Sequence, residues 1–173
     1  MNMSHSIKNL YIINGTMGIG KTTVSKALLK ELDNCVFLDG DWCWMMDPFI
    51  VNDETKQIVM DNITHSINNF IHSSTYANII LCWVIPSQEI LDDLIHYLDL
   101  ENVHLYPITL MCTKEKLIER IQKDIDNNIR KKDVIERSIQ YLNNYKSMNT
   151  IHIDVSNLSV KETIEQIKQR TLL

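Results

Sequence analysis

Glycine and proline are scarce in this chain, which has four glycines and three prolines among 173 residues. No stretch approaches the roughly 18 apolar residues of a membrane-spanning helix, and residues 1–6 lack the apolar segment of a secretory signal. We therefore expect a cytoplasmic protein with no membrane partner. The four cysteines are isolated, without the C-x-x-C spacing of many metal and redox sites, which favours reduced and mostly buried thiols.

Positive charge is also sparse. The chain has 17 basic and 22 acidic residues, for a net charge of −5, and this balance disfavours nucleic-acid partners, which normally require a basic face. No lysine or arginine occurs between Lys56 and Lys114. Because phosphates and carboxylates are bound by cationic side chains, this gap disfavours an anionic ligand in that part of the chain.

Apolar segments typical of buried strands alternate with helical patterns along the chain. We predict strands over 9–14, 35–39, 78–85, 103–112 and 150–155. We predict helices over 21–33, 54–73, 87–99, 114–126, 133–147 and 159–170. This alternation predicts a parallel sheet with helices on both faces and a ligand site at the carboxyl ends of the strands. Length and composition predict a single domain, residues 1–173.

Three of the four glycines lie in residues 15–22, which fit the pattern G-x-x-x-x-G-K-[ST]. A predicted strand precedes this stretch and a predicted helix follows it, so a phosphate-binding loop is favoured over a glycine-rich turn that binds nothing. In such a P-loop the backbone N–H groups surround phosphates, Lys21 reaches the β- and γ-phosphates, and Thr22 ligates Mg²⁺. The residues predicted to bind ATP here are Gly15, Met17, Gly18, Ile19, Gly20, Lys21, Thr22 and Thr23.

The fourth glycine separates two carboxylates in Asp39-Gly40-Asp41, directly after a predicted strand. Two carboxylates at such a position suit two tasks: one holds Mg²⁺, usually through water, and the other accepts a proton from an acceptor hydroxyl. The alternative is an ordinary Asp-Gly turn after a strand. The position of Asp39-Gly40-Asp41, downstream of the P-loop strand, favours the functional interpretation.

The P-loop, residues 38–41 and an arginine-bearing helix after the fourth strand resemble the small P-loop kinases. These form part of the adenylate-kinase-like group and include shikimate, gluconate and adenylylsulfate kinases and chloramphenicol phosphotransferase. The resemblance implies a P-loop NTPase fold, a three-layer α/β/α sandwich with a five-stranded parallel sheet of order 2-3-1-4-5. It also implies transfer of a phosphoryl group from ATP, with Mg²⁺, to a small molecule. By position, Asp39 would hold Mg²⁺ through water, and Asp41 would bind the acceptor and act as the base.

Residues 114–137 contain eight of the 17 basic side chains, three of them arginines. The resemblance implies that Arg120 packs on adenine, that Arg130 belongs to a lid spanning about 120–137, and that Arg137 contacts a phosphate or the acceptor. It also places Asn157 beside the adenine. The alternative is a pair of solvated amphipathic helices with i,i+4 charge pairs. Arg120 and Arg130 are farther apart than in the compact lid of shikimate kinases, so the arginine roles remain open.

Residues of about 42–75 correspond to the acceptor-binding region of these kinases, with Trp42 directly after Asp41. Aromatic and methionine side chains in this region suit an adaptable apolar pocket, although Trp44, Met45 and Met46 could equally cap the sheet as core. We therefore expect a neutral or cationic acceptor, such as a nucleoside or an antibiotic-like molecule. A nucleoside monophosphate kinase and a non-catalytic, ATP-dependent protein that sequesters a drug remain alternatives. The sequence leaves monomer and homodimer open.

Overall fold

Five parallel strands form one sheet in the computed structural model, which describes residues 7–129 and 133–171. The strands are β1 (Lys8–Asn14), β2 (Cys35–Asp39), β3 (Asn78–Cys82), β4 (Val103–Met111) and β5 (Ile151–Asp154). Their order is β2-β3-β1-β4-β5, with β1 paired to both β3 and β4. The predicted fold class and strand order are confirmed.

The helices lie between the strands, as the sequence pattern predicts. They are α1 (Lys21–Glu31), α2 (Asp53–His72), α3 (Gln88–His96), α4 (Lys114–Asp126), α5 (Val134–Tyr145) and α6 (Val160–Arg170). A reciprocal capping box between Ser159 and Glu162 begins α6, and a second one between Asn52 and Thr55 begins α2. None of the helices in the described residues is long and apolar enough to cross a bilayer.

The sheet is buried on both faces because alternate residues of β1 enter different cores. Tyr11 and Ile13 pack with side chains from α1, α4 and α6, whereas Leu10 and Ile12 pack with side chains from α2 and α3. All four side chains of residues 10–13 are fully buried. A strand covered on both faces reads as a continuous apolar run, which explains the Leu-Tyr-Ile-Ile sequence.

The third strand ends earlier than its apolar sequence predicts. The strand stops at Cys82; beyond it Trp83 and Ile85 are buried, and the Trp83 N–H still donates to the Ile13 carbonyl of β1 at 3.2 Å. The side chain of Asn14 replaces the ladder: its Nδ2 donates to the Ile85 carbonyl at 3.1 Å, and its Oδ1 accepts from the Ile85 N–H at 2.8 Å. A buried backbone must be hydrogen-bonded, and here one amide side chain satisfies both groups.

The four cysteines are free thiols, and burial raises the pKa of each of them, to about 11 in the case of Cys35. Because the thiolate is the reactive form, a higher pKa lowers reactivity at a given pH. We expect the native protein at pH 8 to react with Ellman's reagent at least about tenfold more slowly than the unfolded chain. Mass spectrometry should find Cys82 and Cys112 unmodified at early times. Rapid labelling of either would contradict the packing described here.

Candidate active site

The P-loop connects the end of β1 to the start of α1, and its three glycines all have backbone conformations that other residues rarely adopt. Gly18 has φ +81°, and a Cβ atom on it would lie 2.6 Å from Cγ1 of Ile121 on α4. Gly20 has φ +106°, and a Cβ there would have no atom within 4 Å. The loop is therefore packed against α4 at Gly18 and open at Gly20.

The open end of the loop coincides with an uncapped helix start. Four helices begin with a side chain that accepts a hydrogen bond from the first turn, namely Asn52, Ser87, Thr113 and Ser159, whereas α5 begins without such a cap but has an acidic residue in its first turn. Helix α1 begins at Lys21, its N-cap residue Gly20 provides no side-chain cap, and its first turn contains no acidic residue. Its N–H groups and the positive end of its dipole therefore suit an anion.

The Lys21 side chain is held close to this helix start. It is only 9% exposed, and its Nζ donates to the Thr16 carbonyl at 3.1 Å. A primary ammonium has three donors and a positive charge, both of which suit a phosphate. The loop glycines, the helix start and Lys21 together fit the triphosphate of a nucleotide.

A cavity of about 330 Å³ opens above the loop, and its lining brings several cations together. Arg120 and Lys123 of α4 join Lys21 there. Lys123 was not among the predicted site residues, although its spacing of three from Arg120 places both on the same face of a helix. The cavity is lined by Gly18, Gly20, Lys21, Thr22, Thr23, Arg120, Lys123 and Asp124.

Arg120 connects the P-loop to the loop that follows β5. Its guanidinium donates to the carbonyl of Ile19 at 3.1 Å and to the carbonyl of Val155 at 2.6 Å. The exposed residue Asn157 lies two positions beyond Val155. The family resemblance implied only that Arg120 packs on adenine. In the structure it also donates to two backbone carbonyls of the protein.

The arginines farther along the chain are arranged differently. Arg137 is exposed on α5 and forms an i,i+4 ion pair with Asp133 at 3.1 Å. Among the described residues, the cavity lining contains Arg120 and not Arg137. Arg130 lies outside the described residues. Helix α5 nevertheless touches the loop, because the buried Thr16 hydroxyl donates to the Ser138 carbonyl at 2.8 Å.

The Asp39-Gly40-Asp41 element lies at the carboxyl end of β2 and opens a short 3-10 helix, Gly40–Trp44, which the sequence analysis did not predict. Asp39 is 9% exposed, and its Oδ1 accepts from the Asp41 N–H at 3.1 Å. A Cβ on Gly40 would lie 2.5 Å from Cγ of Trp83, so the indole packs directly on this backbone. The close contact requires glycine between the two aspartates and fixes where Asp39 and exposed Asp41 lie.

Cys82 lies between the two residues predicted to hold the metal. It pairs in register with Asp39 on β2, and its Sγ is 3.7 Å from Oγ1 of Thr22. A hydroxyl and a carboxylate are hard oxygen donors suited to Mg²⁺. No cluster of three His, Cys, Asp or Glu side chains suitable for a metal occurs in the part of the chain that the structure describes. The donor set therefore fits a metal that takes its remaining ligands from phosphates and water.

An exposed apolar surface follows Asp41 directly. Met45 is 84% exposed and Trp42 is 55% exposed, and the same surface includes Phe49, Ile50 and Val51. The interpretation of Met45 as a core residue is therefore wrong, while Trp44 is partly buried against the core. Trp42 makes an edge contact with Phe37, with the ring centroids 5.7 Å apart. Sequence periodicity could not reveal this surface, because the segment is neither helix nor strand beyond Trp44.

The sequence pattern of the family described as "AAA domain" matches residues 12–143 of this chain. Solved structures of similar fold include the tunicamycin resistance protein of Deinococcus radiodurans, at 17% identity and TM-score 0.70, with 94% of this chain and 95% of that chain covered. A sugar kinase from a Janibacter species matches at 15% identity and TM-score 0.71, with coverages of 94% and 93%. A shikimate kinase from Bacteroides thetaiotaomicron matches at 15% identity and TM-score 0.64, with coverages of 96% and 99%. No curated protein matches the sequence.

Proposed function

Because the chain belongs to the AAA domain family and has the fold of the small P-loop kinases, we propose that it transfers the γ-phosphoryl group of ATP to a hydroxyl of a small molecule. The observation that supports this most is the meeting of two structures at one edge of the sheet. The uncapped start of α1 with Lys21 suits phosphates, and the Asp39-Gly40-Asp41 element adds two carboxylates. Two of the similar structures described above are themselves named kinases.

In this proposal the nucleotide half of the site works mainly through positive charges that bind the phosphates. Lys21 and the loop N–H groups hold the β- and γ-phosphates, while Arg120 and Lys123 add positive charge along the same cavity. Thr22 and Asp39 would hold Mg²⁺, Asp39 through water, and the bound metal would neutralise charge on the transferring phosphoryl group. Fixed positive charges of this kind stabilise the transition state more than the ground state.

The acceptor half of the site depends on Asp41. The acceptor oxygen forms a bond to the γ-phosphorus, the bond between that phosphorus and the β,γ-bridging oxygen breaks, and ADP leaves with the bridging oxygen. Asp41 accepts the proton that the acceptor hydroxyl loses. The carboxylate therefore both orients the nucleophilic oxygen and acts as the base. Because Asp41 is exposed, an acceptor can reach it from solvent.

We propose a neutral or cationic acceptor with an apolar body, such as a nucleoside or an antibiotic-like molecule. The exposed surface formed by Trp42, Met45, Phe49, Ile50 and Val51 provides apolar contact beside Asp41. Residues 57–113 contain no lysine or arginine, so α2 after Lys56 and all of α3 lack the permanently charged side chains that best bind an anionic acceptor. Arg137 remains a proposed contact to a phosphate or to the acceptor.

The first experiment is to measure ADP release with Mg-ATP across matched acceptors that differ mainly in charge. The panel contains nucleosides, the corresponding monophosphates, sugar acids and hydroxylated antibiotics. We expect at least one neutral or cationic hydroxyl compound to raise ADP release at least about tenfold above the acceptor-free rate, and mass spectrometry should find the phosphorylated product.

One control and two possible outcomes decide how the panel is interpreted. Deoxygenated analogues of an active acceptor should be inert, because they lack the nucleophilic oxygen. Efficient phosphorylation of a nucleoside monophosphate that is undiminished in an Arg137→Ala variant would contradict the proposed acceptor class. ATP and an acceptor that bind together without any product would favour a protein that sequesters its ligand.

A further inference from the structure

The thiol of Cys82 lies at the centre of the carboxyl edge of the sheet. Cys82 ends β3 and pairs in register with Ile13 of β1 on one side and Asp39 of β2 on the other. It is 1% exposed. The strand that enters the P-loop and the strand that ends in the Asp39-Gly40-Asp41 element are therefore the two neighbours of this cysteine.

The contact between Cys82 and Thr22 defines what the thiol can do. Sγ of Cys82 is 3.7 Å from Oγ1 of Thr22, within hydrogen-bonding distance for sulfur, and either atom can donate. A threonine hydroxyl that ligates a cation uses an oxygen lone pair for the metal. Its proton must then point away from the metal toward an acceptor, and the Cys82 sulfur provides one.

A second buried hydroxyl completes the arrangement. Ser25 lies one turn beyond Thr22 on α1 and is fully buried. Its Oγ has no hydrogen bond of standard geometry within the described residues, and Ser25 lies close enough to Cys82 to lower the pKa of the thiol slightly against the larger effect of burial. When Thr22 donates to the sulfur, the S–H proton is free to turn toward Ser25. An otherwise unsatisfied buried hydroxyl then gains a donor.

We propose that Cys82 is a positioning residue that orients the Thr22 hydroxyl toward a nucleotide-bound divalent cation through the Thr22 O–H to Cys82 Sγ hydrogen bond. The inference rests on the proposed function, because it takes Mg-nucleotide as the ligand of the P-loop. The role belongs to metal binding and not to the phosphates, which the proposed function assigns to Lys21 and the loop N–H groups. Cys82 should therefore affect nucleotide affinity only when the cation is present.

The test compares three variants in a binding assay. Cys82→Val keeps an apolar side chain of similar volume without the acceptor, Cys82→Ala removes the acceptor and volume, and Cys82→Ser keeps a donor and acceptor. A fluorescent ATP analogue is titrated into each protein, first with EDTA and then with saturating Mg²⁺ or Mn²⁺. The ratio of the two dissociation constants measures how strongly the metal and the nucleotide are coupled.

We expect Cys82→Val and Cys82→Ala to reduce this coupling ratio by roughly three- to tenfold, the size of one hydrogen bond, while binding in EDTA stays unchanged. Cys82→Ser should retain most of the coupling. Unchanged coupling in Cys82→Val would overturn the proposal. An equal loss in Cys82→Ser would indicate packing alone and would also overturn it, as would a loss of affinity in EDTA as large as that with metal.

The readout also separates this inference from the proposed kinase activity. If the wild-type protein binds no nucleotide, both fail. If it binds Mg-nucleotide and transfers phosphate while Cys82→Val behaves like the wild type, only the role of Cys82 fails. Melting temperatures of the ligand-free variants provide the control for folding, and a normal melting temperature with reduced metal coupling is the result that a merely structural cysteine would not give.

Discussion

Replacing Lys21 with alanine is expected to weaken ATP binding by roughly 10- to 100-fold, because charge-assisted hydrogen bonds to the phosphates are lost. Phosphoryl transfer should fall further, by about 100- to 1,000-fold at saturating ATP, since charge on the phosphoryl oxygens is greatest in the transition state. Isothermal titration calorimetry with a non-hydrolysable ATP analogue measures the first effect. Single-turnover ADP formation measures the second.

The controls for this substitution come from the same helix. Lys21→Met retains the length of the side chain without its charge, and should behave like Lys21→Ala if charge is what matters. Lys26→Ala removes an exposed lysine from α1 and should bind ATP like the wild type. Circular dichroism confirms that each variant folds. ATP binding at the wild-type level in Lys21→Ala would overturn the assignment of the P-loop.

The Asp41→Asn variant should lose phosphoryl transfer by roughly 100- to 10,000-fold while it binds ATP normally. An amide cannot accept the hydroxyl proton, although it has nearly the same shape and still hydrogen-bonds the acceptor. Acceptor affinity should therefore change much less than the rate of transfer. Stopped-flow or quenched-flow measurement at saturating acceptor separates the rate of the chemical step from binding.

The matched control is Asp93→Asn, which makes the same change in charge on an exposed residue of α3. It should transfer phosphate at the wild-type rate, which would exclude an effect of net charge alone. Transfer that is undiminished in Asp41→Asn would remove Asp41 from the role of base. Loss of ATP binding in the same variant would mean that Asp41 serves the nucleotide half of the site.

The P-loop could be read from the sequence because its chemistry is local. Gly18 and Gly20 are required by backbone angles and a close contact, and such requirements leave a pattern of fixed spacing. Asp39-Gly40-Asp41 also forms a local pattern, two carboxylates directly after a strand, and the structure shows that Gly40 is required there by its contact with Trp83. The roles of the two aspartates stay predictions. The strand order followed from a resemblance, because parallel strands carry no local signal of which neighbour they will take.

The features that the sequence did not reveal depend on contacts between distant residues. Cys82 reads as an ordinary core residue of an apolar strand, and only the fold brings its sulfur to Thr22, 60 residues away. The two carbonyls that Arg120 contacts lie 101 and 35 residues away. The exposure of Met45 was likewise unreadable, because an apolar residue outside regular structure has no periodicity to say which way it faces.

Because β1 is the central strand, its pairing with both neighbours must wait for later parts of the chain to be synthesised. Its two neighbours are β3 and β4, so the strand is flanked on both sides only when the ribosome has reached Met111. At typical rates of translation, the 97 residues that separate Asn14 from Met111 take about 5 to 20 s to synthesise. During that interval β1, whose residues 10–13 end up fully buried, lacks at least one of its two neighbouring strands on the nascent chain. The yield of soluble protein should therefore respond to translation speed and to chaperones that cover the emerging strand.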